Sequence, residues 1–182
     1  MSRRAGPWRP GRTRADTASM IRVDQAGEYA ATRIYAGQLA VLDPSSPAAK
    51  LVSRMAMQEQ RHLKRFDELV AARRVRPTAL QPLWNAAGFA LGAGTALIGE
   101  DAAMACTDAI ETEIGRHYQR QLDELGEDDA ELSGDIAQFR AEELEHLDTA
   151  RSAGAQRAPA YPLLTGAIRA ACRVAIALSK RV

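Results

Sequence analysis

Gln58-Glu59-Gln60-Arg61-His62-Leu63 decides the reading of this chain, because it has an echo at Glu142-Glu143-Leu144-Glu145-His146-Leu147. Each stretch places a Glu three residues before a His, and on a helix side chains at that spacing leave from the same face. The same face carries an apolar stripe. In the first run it is Val52, Met55, Glu59, His62, Leu63, Phe66 and Val70; in the second it is Leu132, Ile136, Phe139, Glu143, His146, Leu147 and Ala150. A carboxylate and an imidazole in the middle of a core-facing stripe are costly unless something compensates them.

Outward from these two runs the chain reads as helix throughout. Asp16 or Thr17 can cap a first helix that reaches about Leu42 and stops at Asp43-Pro44, with Ile21, Glu28, Ala31, Tyr35, Leu39 and Leu42 turned inward. Ser46-Pro47 restarts the chain, serine as N-cap and proline in the first turn, for a second helix to about Arg74. A third helix begins at Glu100-Asp101 and runs to about Leu125 with Met104, Thr107 or Asp108, Glu111, Ile114, Tyr118, Leu122 and Leu125 inward. The acidic turn at Glu127-Asp128-Asp129 separates it from a fourth, ending near Gly154.

A repeat links these elements. Glu28 is followed by Tyr35, Leu39 and Leu42 at the offsets, 7, 11 and 14, at which Glu111 is followed by Tyr118, Leu122 and Leu125. Glu59 follows Glu28 by 31 positions and Glu143 follows Glu111 by 32. Helix pairs over about 18–74 and about 101–152 therefore present the same set, Glu28, Glu59 and His62 against Glu111, Glu143 and His146. The expectation is an all-α four-helix bundle over residues 18–182 with those six side chains at its centre. Four interior carboxylates without counter-charge would cost several kcal/mol each, whereas two divalent cations cancel them. Oxygen and imidazole ligands without thiolate suit iron or manganese rather than a structural zinc. One Glu from each of two helices and Glu-x-x-His from each of the other two is the pattern of ferritin-like di-iron and di-manganese proteins.

The remaining polar residues carry double readings. Tyr35 and Tyr118 stand two turns from Glu28 and Glu111; they either hydrogen-bond the site, relay a redox equivalent or pack the core. Asp24 either orients a ligating His through its far ring nitrogen or is a helix-start acid. His117, four residues after Glu113, reads as a surface pair, and Glu142 and Glu145 as a solvated face. Cys106 and Cys172 read as small core residues.

Residues 78–99, TALQPLWNAAGFALGAGTALIG, hold no charge and form the crossover between the helix pairs; they are too short and glycine-rich for a transmembrane span. The last helix, over about 163–182, carries Arg169, Arg173 and Lys180 along one side. The uncharged helix and the basic amphipathic one together read either as attachment to a membrane surface or as faces packed on the bundle or a subunit interface. Residues 1–17 contain five arginines and no apolar run, which excludes a secretory signal and leaves a disordered tail, a targeting remnant or a strip touching anionic lipid. A net charge of +1 gives no electrostatic footprint for nucleic acid, and Gly92-Ala93-Gly94 lacks the strand and the third glycine of a dinucleotide fingerprint.

Several segments resemble the demethoxyubiquinone hydroxylase family: Ile21-Arg22-Val23-Asp24-Gln25-Ala26-Gly27-Glu28-Tyr29, Arg74-Val75-Arg76-Pro77-Thr78, Pro82-Leu83-Trp84-Asn85, Gly88 to Leu97, Glu142-Glu143-Leu144-Glu145-His146 and Cys172-Arg173-Val174-Ala175-Ile176. The resemblance extends from about residue 20 to the C-terminus. It implies a ferritin-like di-iron monooxygenase with Glu28, Glu59, His62, Glu111, Glu143 and His146 as iron ligands and Tyr118 as a candidate relay. It implies hydroxylation of a demethoxy-polyprenyl-benzoquinol with O2 in ubiquinone synthesis, and electrons from NADH or another external reductant. It also implies a peripheral place on the cytoplasmic face of a bacterial inner membrane or the matrix face of the mitochondrial one. A homo-oligomer and a lipid-presenting or biosynthetic partner protein are compatible with it. Where the family often has His, this chain has Gln25, and where it has His-His-Tyr this chain has Arg116-His117-Tyr118. A ferritin-like iron-binding or ferroxidase protein and a purely structural bundle are the competing expectations.

Overall fold

The computed structural model describes residues 15–182, so the arginines of the N-terminal stretch lie outside the described residues. Six α-helices follow in order: α1 (Thr17–Leu39), α2 (Pro47–Arg73), α3 (Gln81–Ile98), α4 (Glu100–Leu125), α5 (Ala130–Ser152) and α6 (Tyr161–Ser179). Among the described residues there is no strand.

The ends of these helices have local causes. The Asp16 carboxylate accepts from the Ser19 N–H, the Ser46 hydroxyl from Ala49 and the Asp129 carboxylate from Leu132, each satisfying a donor that the first turn leaves unpaired. α2 ends where Arg74 turns left-handed (φ 53°) and the Val75 N–H returns to the Val70 carbonyl. α1 stops at Leu39 rather than at Leu42, yet the Leu42 N–H still bonds the Gln38 carbonyl and its side chain stays buried. At the far end of α2 the inward position falls on Leu69, with Val70 half-buried beside it.

Helices α1 and α2 form one hairpin and α4 and α5 the other. Their inner faces build two apolar clusters, one containing Leu42, Val52, Met55, Met104 and Ala150, the other Ile21, Phe66, Leu69, Leu132 and Ile136. On every one of the four helices the Glu or Glu-x-x-His position lies in sequence between those clusters, so the polar layer is walled by hydrocarbon above and below.

The crossover helix α3 lies along α1. Gly88 and Gly92 on α3 and Gly37 on α1 face the neighbouring backbone so closely that a Cβ on Gly92 would meet the Ile34 carbonyl oxygen, and one on Gly37 the Phe89 carbonyl oxygen. Only glycine permits that approach. The Arg33 guanidinium then covers the Phe89 ring at 5.5 Å.

Helix α6 lies on α4, and two of its three basic residues reach back to acids of α4, while Lys180, at its C-terminal end, stays exposed. Arg169 pairs with Asp108 at 3.2 Å and Arg173 with Glu113 at 3.0 Å, both acids being buried on α4. Asp108 also accepts from Arg151 of α5 and from the Tyr161 hydroxyl. The cost of burying Asp108 and Glu113 is offset by these guanidinium partners, of which Arg169 is half-buried and Arg173 remains exposed. Among its large apolar residues α6 exposes Leu163, Val174 and Leu178, and α3 exposes Leu83, Phe89, Leu97 and Ile98.

Candidate metal centre

The six residues picked out by spacing meet in one layer. His62 Nδ1 lies 3.0 Å from Glu143 Oε1, 3.5 Å from Glu28 Oε2 and 3.9 Å from Glu59 Oε2. His146 Nδ1 lies 3.1 Å from Glu59 Oε1, 3.2 Å from Glu143 Oε2 and 3.8 Å from Glu111 Oε1. Glu59 and Glu143 therefore each face both imidazoles, while Glu28 stands beside His62 alone and Glu111 beside His146 alone. Two four-residue groups result, Glu28-Glu59-His62-Glu143 and Glu59-Glu111-Glu143-His146, each with ligand atoms within 4.8 Å of one another. Glu59 and Glu143 are common to both, so the two groups form one continuous layer rather than two separate sites.

The donor atoms fit such ions. All six residues are at most 2% exposed. Glu28 Oε2, both carboxylate oxygens of Glu59, His62 Nδ1, Glu111 Oε2 and Glu143 Oε1 have no hydrogen-bond partner, although buried polar atoms are ordinarily paired. These unpartnered atoms point at one another, and the cluster can hold metal ions.

The protonation tendencies report the same need for positive charge. Burial draws the His62 imidazolium down, but the adjacent carboxylates of Glu143 and Glu28 outweigh it and push its pKa up to about 11. His146 is raised too, burial being overcome by Glu111, Glu143 and Glu59. Burial first, and then the charge of Glu111, lifts Glu143 to about 8. Glu59 is pushed well above the usual carboxylate range by burial and by Glu143 and Glu28. Glu111 goes the other way: burial opposes ionisation, but hydrogen bonds involving His146 and Glu143 hold it low. Protons are what this layer collects when no cation is present.

Hydrogen bonds around the layer set its orientation. Tyr35 donates to Glu111 Oε1 at 2.7 Å and Tyr118 donates to Glu28 Oε1, each tyrosine crossing to the opposite hairpin. Burial, with the charges of Glu111 and Glu28 next, raises both phenols, so they remain donors. Phe139 stacks on the His62 ring with centroids 4.2 Å apart.

Three polar residues differ from their sequence reading. Glu142, read as solvated, turns back so that His62 Nε2 lies 3.0 Å from its Oε2. Gln58, its counterpart in the repeat, takes the same place against His146 Nε2 at 2.8 Å. Both sit one residue before a Glu of the centre, so the repeat carried a signal for them: two polar side chains at equal offset, each able to accept an imidazole N–H. His117 is buried rather than superficial, and Asp24 bonds it (3.2 Å) and Gln121 (2.9 Å) instead of an imidazole of the centre. Position 117 shares the helix face of Gln121, one turn on, and that face is covered by α1. Glu145 is exposed as expected.

Comparison with known proteins agrees with this geometry. The family described as "Ubiquinone biosynthesis protein COQ7" matches residues 15–179. A Rhodospirillum rubrum protein named 3-demethoxyubiquinol 3-hydroxylase is 57% identical over 162 residues, covering 89% of this chain and 76% of that protein. A Rattus norvegicus protein named NADPH-dependent 3-demethoxyubiquinone 3-hydroxylase, mitochondrial, is 56% identical over 92% of this chain and 79% of its own length. The Saccharomyces cerevisiae 5-demethoxyubiquinone hydroxylase, mitochondrial, is 46% identical over 90% and 77% respectively. With a match over nearly the whole described chain, and a paired carboxylate–imidazole layer at its centre, the protein belongs to the COQ7 family of ubiquinone biosynthesis proteins.

Proposed function

We propose that this chain hydroxylates the ring of a demethoxyubiquinol, using O2 at a two-iron centre held by Glu28, Glu59, His62, Glu111, Glu143 and His146. The observation that carries the reading is the convergence of unpartnered carboxylate oxygens and imidazole nitrogens on one buried layer. Residues 18–182 act as one unit in it, since both hairpins supply half of the ligands. Electrons come from a reduced nicotinamide nucleotide, as the rat relative's name states for that protein.

Bound iron supplies the means of reducing O2 and delivering one oxygen atom to an electron-rich ring. The chain's own residues do the rest. Glu59 and Glu143 face both imidazoles, so either would be within reach of ions held beside His62 and beside His146. Tyr35 and Tyr118 hold Glu111 and Glu28 by donated hydrogen bonds. Tyr118 stands one hydrogen bond from Glu28, a position suited to passing a proton or a redox equivalent. The two apolar clusters exclude water on both sides of the layer.

The substrate's place is supported by an apolar cavity of about 90 Å³ between α1, α3, α4 and α6. Gly27 and Ile110, sequence neighbours of Glu28 and Glu111, line it, and Trp84, Cys172 and Ile176 line it on the side of α3 and α6. Such a lining has the apolar character a quinol ring needs, but the cavity would have to widen to admit one, since benzene alone occupies a cavity of about 150 Å³. The outward apolar residues of α3 and α6 would meet the bilayer in which that tail dissolves. Helix α6 is long and apolar enough to cross a membrane, but its arginines are bonded to Asp108 and Glu113 of α4. Pulling α6 away would take one guanidinium from each of these buried acids, leaving Asp108 with Arg151 and Glu113 with Arg116, so a helix lying on the surface is the reading the ion pairs favour. The membrane would be a bacterial inner membrane or the mitochondrial inner membrane, on the side where ubiquinone is made.

The test is genetic and chemical. A strain that lacks its own demethoxyubiquinone hydroxylase should regain ubiquinone when given this chain, and should instead accumulate the quinone short of one ring oxygen when given Glu111→Ala. Failure of the wild-type chain, present at normal level, to restore ubiquinone would overturn the proposal.

A further inference from the structure

The two hairpins are near copies, and the centre can be compared position by position. Glu28 corresponds to Glu111, Tyr35 to Tyr118, Glu59 to Glu143 and His62 to His146. Each of these pairs is chemically identical, and the cross-hairpin bonds they make are reciprocal: Tyr35 to Glu111 and Tyr118 to Glu28. The pair directly behind the imidazoles breaks the symmetry. His62 Nε2 meets the carboxylate of Glu142 at 3.0 Å, whereas His146 Nε2 meets the amide oxygen of Gln58 at 2.8 Å.

Both partners accept an N–H from Nε2, so that once Nδ1, the nitrogen facing the centre, has given up its proton, its lone pair is available to a cation. Their charges differ. A hydrogen bond to a carboxylate is roughly twice as strong as one to a neutral acceptor, and it pushes electron density onto the imidazole, making Nδ1 the better donor to a metal. Glu142 is also held in place, by Gln138 Nε2 at 3.0 Å and Arg61 Nη2 at 3.4 Å. The carboxylate is a fixed part of the site on one side only.

We propose that the two cation positions are unequal: the position of Glu28 and His62 holds its ion about 10- to 100-fold more tightly than that of Glu111 and His146, because Glu142 backs one imidazole and Gln58 the other. The tighter position fills first as metal is added and empties last under a chelator. The half-loaded protein is then one defined species, with its ion beside His62. Glu142 and Gln58 are positioning residues, acting on the metals only through the imidazoles. The inference rests on the reading of this layer as a two-metal centre, but not on the hydroxylation it is proposed to perform.

The experiment is anaerobic titration of the metal-free full chain with Co(II), followed by visible absorption and equilibrium dialysis without turnover. The wild type should bind two ions in two steps. His146→Ala should keep the tighter step and His62→Ala should lose it. Glu142→Gln, the same shape without the charge, should close the gap, and Gln58→Glu should close it from the other side by strengthening the weak step. Two ions bound with equal affinity, a gap unchanged in Glu142→Gln, or the tight step lost in His146→Ala would overturn the proposal and leave the two-metal reading intact. Absence of any bound cobalt would overturn both. A purely structural role for Glu142 would lower the melting temperature of the metal-free variant and leave the gap alone, and that too counts against it. Should Glu142→Gln fail to fold, Gln58→Glu decides the matter, since it adds a charge to the intact protein.

Discussion

Metal loading and protons compete for the same atoms, and the competition reverses the effect of pH on stability. In the metal-free protein His62, His146, Glu59 and Glu143 all have folded pKa values above their ordinary ones. A group raised in this way stabilises the fold fully below its unfolded pKa and loses that contribution as the pH climbs through the folded value. For Glu143 the loss runs from 4.5 to about 8, and for His62 from 6.5 to about 11. The metal-free protein should therefore melt at progressively lower temperature between about pH 5 and about pH 9. The loaded protein should do the opposite on the acid side. Two dications replace the four protons on His62, His146, Glu59 and Glu143, an exchange that leaves the charge of the layer unchanged. At two protons per cation, apparent affinity rises about a hundredfold per pH unit while those groups remain protonated, or about 2.7 kcal/mol per cation. Scanning calorimetry on the metal-free and Co(II)-loaded protein reads both trends. An indicator dye in weak buffer at pH 7 should report about four protons released per two cations. Parallel pH trends for the two forms, or fewer than about two protons released, would mean that the layer does not titrate as one neutralised unit.

Tyr118→Phe removes the hydrogen bond to Glu28 and should weaken metal retention about tenfold, measured by cobalt dialysis; unchanged retention would make the tyrosine a packing residue only. Gly92→Ala places a methyl group against the Ile34 carbonyl and should cost at least about 1–3 kcal/mol, read from urea denaturation, whereas Gly94→Ala, which meets nothing within 4 Å, should be neutral or stabilising. Replacing Leu97, Leu163 and Val174 together by Glu should reduce co-sedimentation with phospholipid vesicles more than tenfold, since each apolar side chain contributes about 1.5–3 kcal/mol when buried. Far-UV circular dichroism should be unchanged, because all three are exposed.

Most of the centre was legible because its six residues obey two constraints that a sequence displays directly. They lie on apolar stripes of helical period, and they occur twice at matching offsets, so Glu28 and Glu111 could be assigned although neither belongs to a local motif. The helix ends at Ser46-Pro47 and near Arg74 were legible for the same kind of reason, each resting on a few adjacent residues. What periodicity could not show was any contact whose partner lies on another helix. Arg169 and Arg173 form a basic side on α6 in isolation, and nothing in that helix shows that the two guanidinium groups pair with the buried Asp108 and Glu113 of α4. His117 looked superficial because its pairing with Glu113 satisfied helical spacing; its actual partner, Asp24, lies 93 positions away. Glu142 looked solvated because its angle misses the bundle axis, yet α2 passes close enough on that side to bring His62 to it. Each of these cases is a charged or titratable side chain beside the main stripe rather than on it. There the choice between solvent and a partner is settled by which helix happens to lie alongside, and helix neighbours follow from the loops and from glycine contacts such as Gly37 against Phe89. For Glu142 and Gln58, one position off an apolar stripe and aligned across the internal repeat, the alignment was the one local sign of their contacts with His62 and His146.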